Sequence, residues 1–342
     1  MNADSNFIIF CNCFLLRSPI MTSILRQRGS CTDVRSSGDA TPIETIPRLH
    51  YYHEIDEWQQ DNHFIRSGYV KETSSFSNCF NSLFYLHNES INIHTHLLPS
   101  FFAFSVIIYY VNYELPIYDN YLGVWEKLNF LQFGMAVTAC LLISSTYHCV
   151  KSHSDTVSKL GNKFDYFGIV ILITCSLNSI VLFSFYDEPF WKFTFIIIFL
   201  GLATTCTVLT LDPRFATNVY RPLRSLMFIL FGLSGILPLI AAVKLYGYSA
   251  AVERSCAGWL VLEGISYISG AVLYAMRVPE RFTHVDEDET SLLDKPLSGK
   301  FDIFGHSHQI FHVMVLVGAF CHWMSLVGCY HYLHEVILPN AI

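Results

Sequence analysis

Long apolar runs, each closed at both ends by polar or charged positions, recur along most of this chain. Seven stand out, near residues 97–113, 128–148, 166–186, 190–211, 223–243, 257–276 and 309–330. Roughly 17 to 25 helical residues cross the hydrocarbon core of a bilayer, so each run has the length of a span. Backbone polar groups find no water at that depth, and helices that satisfy their own hydrogen bonds are the form such runs take. The pattern therefore predicts an all-α bundle of seven transmembrane helices, occupying residues 48–342. Ahead of it, residues 1–47 are rich in Ser, Thr, Arg and Pro and predict a disordered tail. The apolar stretch Phe7–Leu16 lacks the basic start and the cleavage site of a signal peptide and reads as part of that tail.

Composition strengthens this picture. Hydrophobic residues make up 52% of the chain and charged residues 14%, against about 25% charged in an ordinary soluble domain. No basic run points to nucleic acid. The eleven cysteines form no repeated C-x-x-C pattern, so they do not read as a disulfide framework. Cys256 and Cys329 would both lie near the outer face and could pair.

Charge sets the expected orientation. Of the 21 Lys and Arg, only Lys127, Lys192, Lys244 and Arg254 fall on the side opposite the amino terminus, leaving 21 − 4 = 17 on the amino-terminal side. Positive charge stays inside, which puts the amino terminus in the cytosol and the carboxyl terminus in the extracellular or lumenal space. Asn88-Glu89-Ser90 matches a glycosylation sequon, but this topology makes it cytosolic and predicts no glycan.

Three polar groups sit at helix ends on that same side. They are Ser144 to His148, closing the second helix; Asp165-Tyr166, opening the third; and Gly305 to His312, opening the seventh. His308 and His312 are four apart, so on a helix they share a face. His148 arrives from another helix at the same depth. Three imidazoles with a fourth position open are the arrangement of a catalytic zinc rather than of a closed structural site. Ser144 lies one turn before His148, and Asp165 could orient a ligand or act as a base. The competing reading is that interfacial histidines only hydrogen-bond to headgroups and water. His94 and His96 read in that way, as caps of the first helix. His306 should face away from His308, being two residues distant. Glu263, in the outer half of the sixth helix, reads as a packing and hydrogen-bond partner or as a protonated acid, and His322, His331 and His334 lie too far along the seventh helix to join the cluster.

These segments carry a resemblance. His87 to His96, Ser144 to His148, Asp165-Tyr166, Ser307 to His312, Glu263, Tyr267 and Arg277 to Arg281 resemble, in order, the motifs of the progestin and adipoQ receptor (PAQR) family. That family takes in adiponectin receptors, hemolysin III related proteins and fungal zinc-homeostasis members, and the resemblance covers roughly residues 48–335. It implies a seven-helix fold with a zinc ion held by His148, His308 and His312, with Ser144 and Asp165 beside it. It also implies ceramide as a substrate and an extracellular ligand as a partner, in the plasma membrane or the endoplasmic reticulum. The acidic stretch His284–Asp294 departs from the adiponectin receptors, which run almost directly into the last helix.

The leading expectation is thus a zinc-dependent lipid amidase that doubles as a receptor. The rival is a receptor whose zinc is structural. Transport is ranked lowest, because the ligands cluster at one face. A retinal protein is disfavoured, since no lysine lies within the seventh helix.

Overall fold

A computed structural model describes residues 48–115, 123–215, 218–283 and 299–340. The 1–47 tail and the acidic stretch His284–Asp294 lie outside these described residues. Among the described residues, seven helices are long and apolar enough to cross a membrane: Ser90–Glu114, Val124–Val150, Asp155–Ser184, Pro189–Leu211, Arg221–Tyr246, Ala257–Phe282 and Ser307–Ile337. They match the seven expected runs in number and order, and no strand occurs among the described residues. The protein is an integral, multi-pass membrane protein.

The helices overrun the apolar stretches because their polar ends are also helical. The third span is the clearest case. It starts at Asp155, ten residues before Asp165, where the sequence reading had placed a loop. Asp155 puts an acidic group in the first turn, where it complements the helix dipole, and it pairs with Lys159 one turn on at 2.7 Å. Asp165 therefore projects from well inside a rigid helix.

The second and third spans form the centre, with 56% and 50% of their apolar windows buried. The fifth and sixth, at 22% and 17%, show most of their surface to lipid. Close approach depends on small residues, as is usual between helices in a membrane. A Cβ on Gly134 would stand 2.4 Å from Ile107, and one on Gly318 would stand 2.4 Å from the Tyr267 ring. An aromatic knot of Phe130, Phe183 and Tyr330, with ring centroids 5.6–6.0 Å apart, fills one end of the bundle. The fifth span breaks between helices Arg221–Leu233 and Ile236–Tyr246, at the Ser-Gly pair that such breaks favour.

The other end is closed by the segment before the first span. His50 and Tyr69 pair through reciprocal backbone bonds of 2.9 and 3.1 Å. Asp302 accepts from the Arg66 amide at 2.9 Å and the Ser67 hydroxyl at 2.6 Å. Glu280 accepts from the Ser307 amide and hydroxyl, so a carboxylate sits at the start of the seventh span. Asp61 pairs with Arg221, and its carbonyl accepts from Arg277 at 2.6 Å. Burial opposes ionisation of Asp61, but Arg221, Lys151 and Arg277 outweigh it and hold its carboxyl below the usual range.

Cys256 and Cys329 are free thiols, as are the other cysteines among the described residues. Their positions do meet: a Cβ on Gly328, beside Cys329, would touch the Cys256 sulfur. Asn88 is only 4% exposed, which independently leaves no room for a glycan.

Candidate metal centre

His148 is carried by the second span, and His308 and His312 lie one turn apart on the seventh. Their ring centroids form a near-equilateral triangle, 4.8 Å between His148 and His308, 4.9 Å between His148 and His312, and 4.9 Å between His308 and His312. One nitrogen from each lies within 4.8 Å of the others, and this is the one such group found among the described residues.

Second partners select the nitrogen that two of the rings, His148 and His312, turn inward. His148 Nδ1 is 2.8 Å from Glu89 Oε2, so its Nδ1–H donates to the carboxylate and Nε2 is left facing the cluster. That Nε2 is buried and has no hydrogen-bond partner among the described residues. His312 Nδ1 is 3.1 Å from the Asn92 carbonyl, which frees its Nε2 in the same way. Metal-binding histidines characteristically give their other N–H to a carboxylate or a backbone carbonyl.

Glu89 is itself clamped. It accepts from Lys151 Nζ at 2.6 Å and from Asn92 Nδ2 at 2.6 Å. Burial works against its charge, but Lys151 and His148 more than compensate and hold the carboxyl well below its ordinary value. The ammonium of Lys151, which burial alone would weaken, is raised in turn by Glu89. Sequence reasoning missed this group. The available signal was the spacing of Glu89 and Asn92, three apart at the opening of the first span and so on one helical face.

His96 corrects a second expectation. It is not an interfacial cap but is 4% exposed, with its ring stacked 3.8 Å from that of His312 and its Nε2 3.4 Å from the His312 carbonyl. His94 reaches the Leu83 carbonyl instead. His306 faces the Asn88 carbonyl at 3.2 Å, away from the cluster as expected. Glu263 and His322 pair with each other at 2.9 Å, away from the three-histidine group.

Ser144 and Asp165 are buried and line the same cavity as the three histidines, with the serine hydroxyl bonded to the carboxylate. The cavity has a volume of about 820 Å³. It runs between the second, third, fifth, sixth and seventh spans. Leu233 and Ile236 of the fifth span and Val261 and Ile265 of the sixth line it. The same four residues are 37% to 60% exposed, so apolar side chains make up the cavity wall between the fifth and sixth spans.

This assembly suits a borderline metal ion. Neutral imidazole nitrogens bind zinc and its transition-metal neighbours, whereas magnesium and calcium require oxygen ligands.

A model of proteins described as haemolysin-III related matches residues 84–323. Over 336 residues the chain is 37% identical to the ADIPOR-like receptor IZH2 of Saccharomyces cerevisiae, covering 96% of this chain and 98% of that one. It is 36% identical over 285 residues to the ADIPOR-like receptor IZH1 of Eremothecium gossypii, covering 83% and 86%. It is also 36% identical to the adiponectin receptor protein of Drosophila melanogaster, over 81% of this chain and 58% of that one.

Proposed function

The chain belongs to the haemolysin-III related family of adiponectin-receptor-like membrane proteins, and from that premise we propose that it is a zinc-dependent hydrolase of membrane lipid amides of the ceramide type. One observation carries the reading: three imidazole nitrogens within reach of one ion, a buried carboxylate and a cavity walled largely by apolar residues of the spans share one space.

His148, His308 and His312 would hold the ion. Zinc so bound polarises carbonyl oxygens and brings the pKa of water from 15.7 to about 7. Asp165, positioned by the Ser144 hydroxyl, takes a proton from the attacking water. The new C–O bond forms in that step, and Asp165 then delivers the proton to the nitrogen as the amide C–N bond breaks. The products are a free fatty acid and a sphingoid base. Once Asp165 carries the proton, the Ser144 hydroxyl is released from the carboxylate and can turn to the oxygen on which negative charge develops. Glu89 fixes the His148 ring from behind. The chain's basic residues support an orientation with this end of the bundle in the cytosol.

A second reading has support in the same geometry. The Glu89–His148 contact and the two histidines of the seventh span tie three helices together, as a structural ion in a receptor would, and the printed names of the fungal and fly relatives call those proteins receptors.

Metal content of the purified protein, wild type beside His308→Ala and His312→Ala, is the first test. About one zinc per chain is expected, lost in both variants. Ceramide hydrolysis by wild type, abolished in Asp165→Asn with zinc retained, supports the hydrolase. Zinc retained with no hydrolysis by wild type leaves the receptor with a structural ion. A folded wild type without zinc sinks both.

A further inference from the structure

The cavity has a second polar centre, far from the histidines. Glu263 of the sixth span and His322 of the seventh line it, joined Oε2 to Nδ1 at 2.9 Å. His322 is held on its other side by Ser179 Oγ at 2.9 Å. A carboxylate has about four lone-pair positions, so one bond to His322 leaves Glu263 able to accept more. Ser176 of the third span and Tyr267, one turn after Glu263, line the same space. Ser176 is 4% exposed, and neither its hydroxyl nor that of Tyr267 has a hydrogen-bond partner among the described residues.

Three helices set the same separation between the two centres. His312 to His322 is ten residues, Asp165 to Ser176 is eleven, and Glu263 to Tyr274, whose ring touches His308, is eleven. At 1.5 Å per residue each interval is about 15 to 17 Å. Buried hydroxyls without partners are rare in folded proteins and call for an explanation. Two of them, on residues that line the same cavity as a carboxylate–imidazole pair, mark a place for a further polar atom.

We propose that this second centre, Ser176, Tyr267 and the Glu263–His322 pair, recognises a neutral hydroxyl carried on a lipid chain about 15 Å from the group that sits at the histidines. The charge distribution selects that chemistry. A carboxylate would face Glu263, and the cavity's arginines and lysines, Arg221, Arg224, Lys151 and Lys159, all stand near the histidine end. An ammonium has no lone pair, so it could not accept from the Ser176 and Tyr267 hydroxyls and would leave both protons unpaired. A hydroxyl both donates and accepts, and it can satisfy Ser176, Tyr267 and the free side of Glu263 together. The inference rests on the cavity being a lipid site and does not require that the protein hydrolyse anything.

The test uses the full chain in mild detergent, with stearic acid and its twelve-hydroxy derivative competing against a fluorescent fatty acid. The hydroxylated acid should bind about tenfold tighter, because a site built for a hydroxyl rejects the analogue that lacks it. Ser176→Ala with Tyr267→Phe should bring the two affinities together while leaving that of stearic acid within about twofold of wild type. Tyr267→Phe keeps the ring that packs on Gly318, so the bundle stays intact. Equal affinities in wild type overturn the hydroxyl site and leave the lipid cavity standing. Failure of either acid to bind overturns the lipid cavity as well. A preference that survives in the double variant assigns recognition to other residues and overturns the proposal.

Discussion

Glu89 Oε2 and His148 Nδ1 meet at 2.8 Å across the boundary between the first and second spans. This contact fixes the tautomer of His148, so that the nitrogen facing His308 and His312 carries a lone pair rather than a proton. Replacing Glu89 with Ala should weaken zinc binding about 10- to 100-fold, the usual effect of losing such a partner. Glu89→Gln, which keeps an acceptor but not the charge, should fall between. Competition against a chelator of known affinity measures both; wild-type affinity in Glu89→Ala would remove Glu89 from the site.

Acid should weaken the fold in a defined window. Burial pushes the His87 imidazole down to about 4, whereas in the unfolded chain it titrates near 6.5. Above pH 6.5 both states are neutral at His87 and its contribution is complete. As pH falls from 6.5 to 4 only the unfolded state takes up the proton, and stability declines by up to about 3 kcal/mol. Below pH 4 this contribution is flat. The thermal midpoint in detergent, followed against pH, should lose that part of its slope in His87→Asn. An unchanged slope would assign the acid sensitivity elsewhere.

Asp61 acts in a lower window. Its carboxyl is held below its usual range, so its contribution is present above about pH 3.9 and is lost as pH falls through the depressed folded value. Near neutral pH, Arg221→Leu strands the carboxylate and should lower the thermal midpoint. Adding Asp61→Asn to that variant should recover part of the loss, with a coupling of about 0.5–3 kcal/mol. Strict additivity of the two changes would mean that the pair contributes nothing.

The sixth and seventh spans leave no room for a methyl group at Gly318, because its Cβ would stand 2.4 Å from the Tyr267 ring. Gly318→Ala should destabilise by about 1–3 kcal/mol through overpacking. Gly258→Ala, where a Cβ meets nothing within 4 Å, serves as the control. Equal thermal midpoints for the two variants would contradict the packing described here.

Much of this was legible before any coordinates. A span of about 20 apolar residues is a one-dimensional signal, which is why all seven helices could be read from the chain. His308 and His312 were legible because one helical turn is a fixed spacing, and His148 because its depth in the second span could be counted. The supporting residues were not. Glu89 and His148 are 59 positions apart, and Asn92 and His312 are 220 apart. Their meeting depends on how separate helices pack, which no local period encodes. His96 was misread for the same reason: a histidine near a helix start looks like a cap until the seventh span is laid against it. The early start of the third span was hidden because Asp155 to Phe164 is polar, and polarity there reflects its place at the water boundary, not a lack of helix.

The apolar cavity wall between the fifth and sixth spans has a consequence for supply if a lipid enters there. Whatever entered by that route would first dissolve in the bilayer, so its concentration would be counted per lipid molecule rather than per litre. Saturation then depends on membrane composition, and dilution with inert lipid lowers occupancy even when the total amount of ligand is unchanged. A molecule too polar to partition into hydrocarbon would be excluded before it met a single histidine.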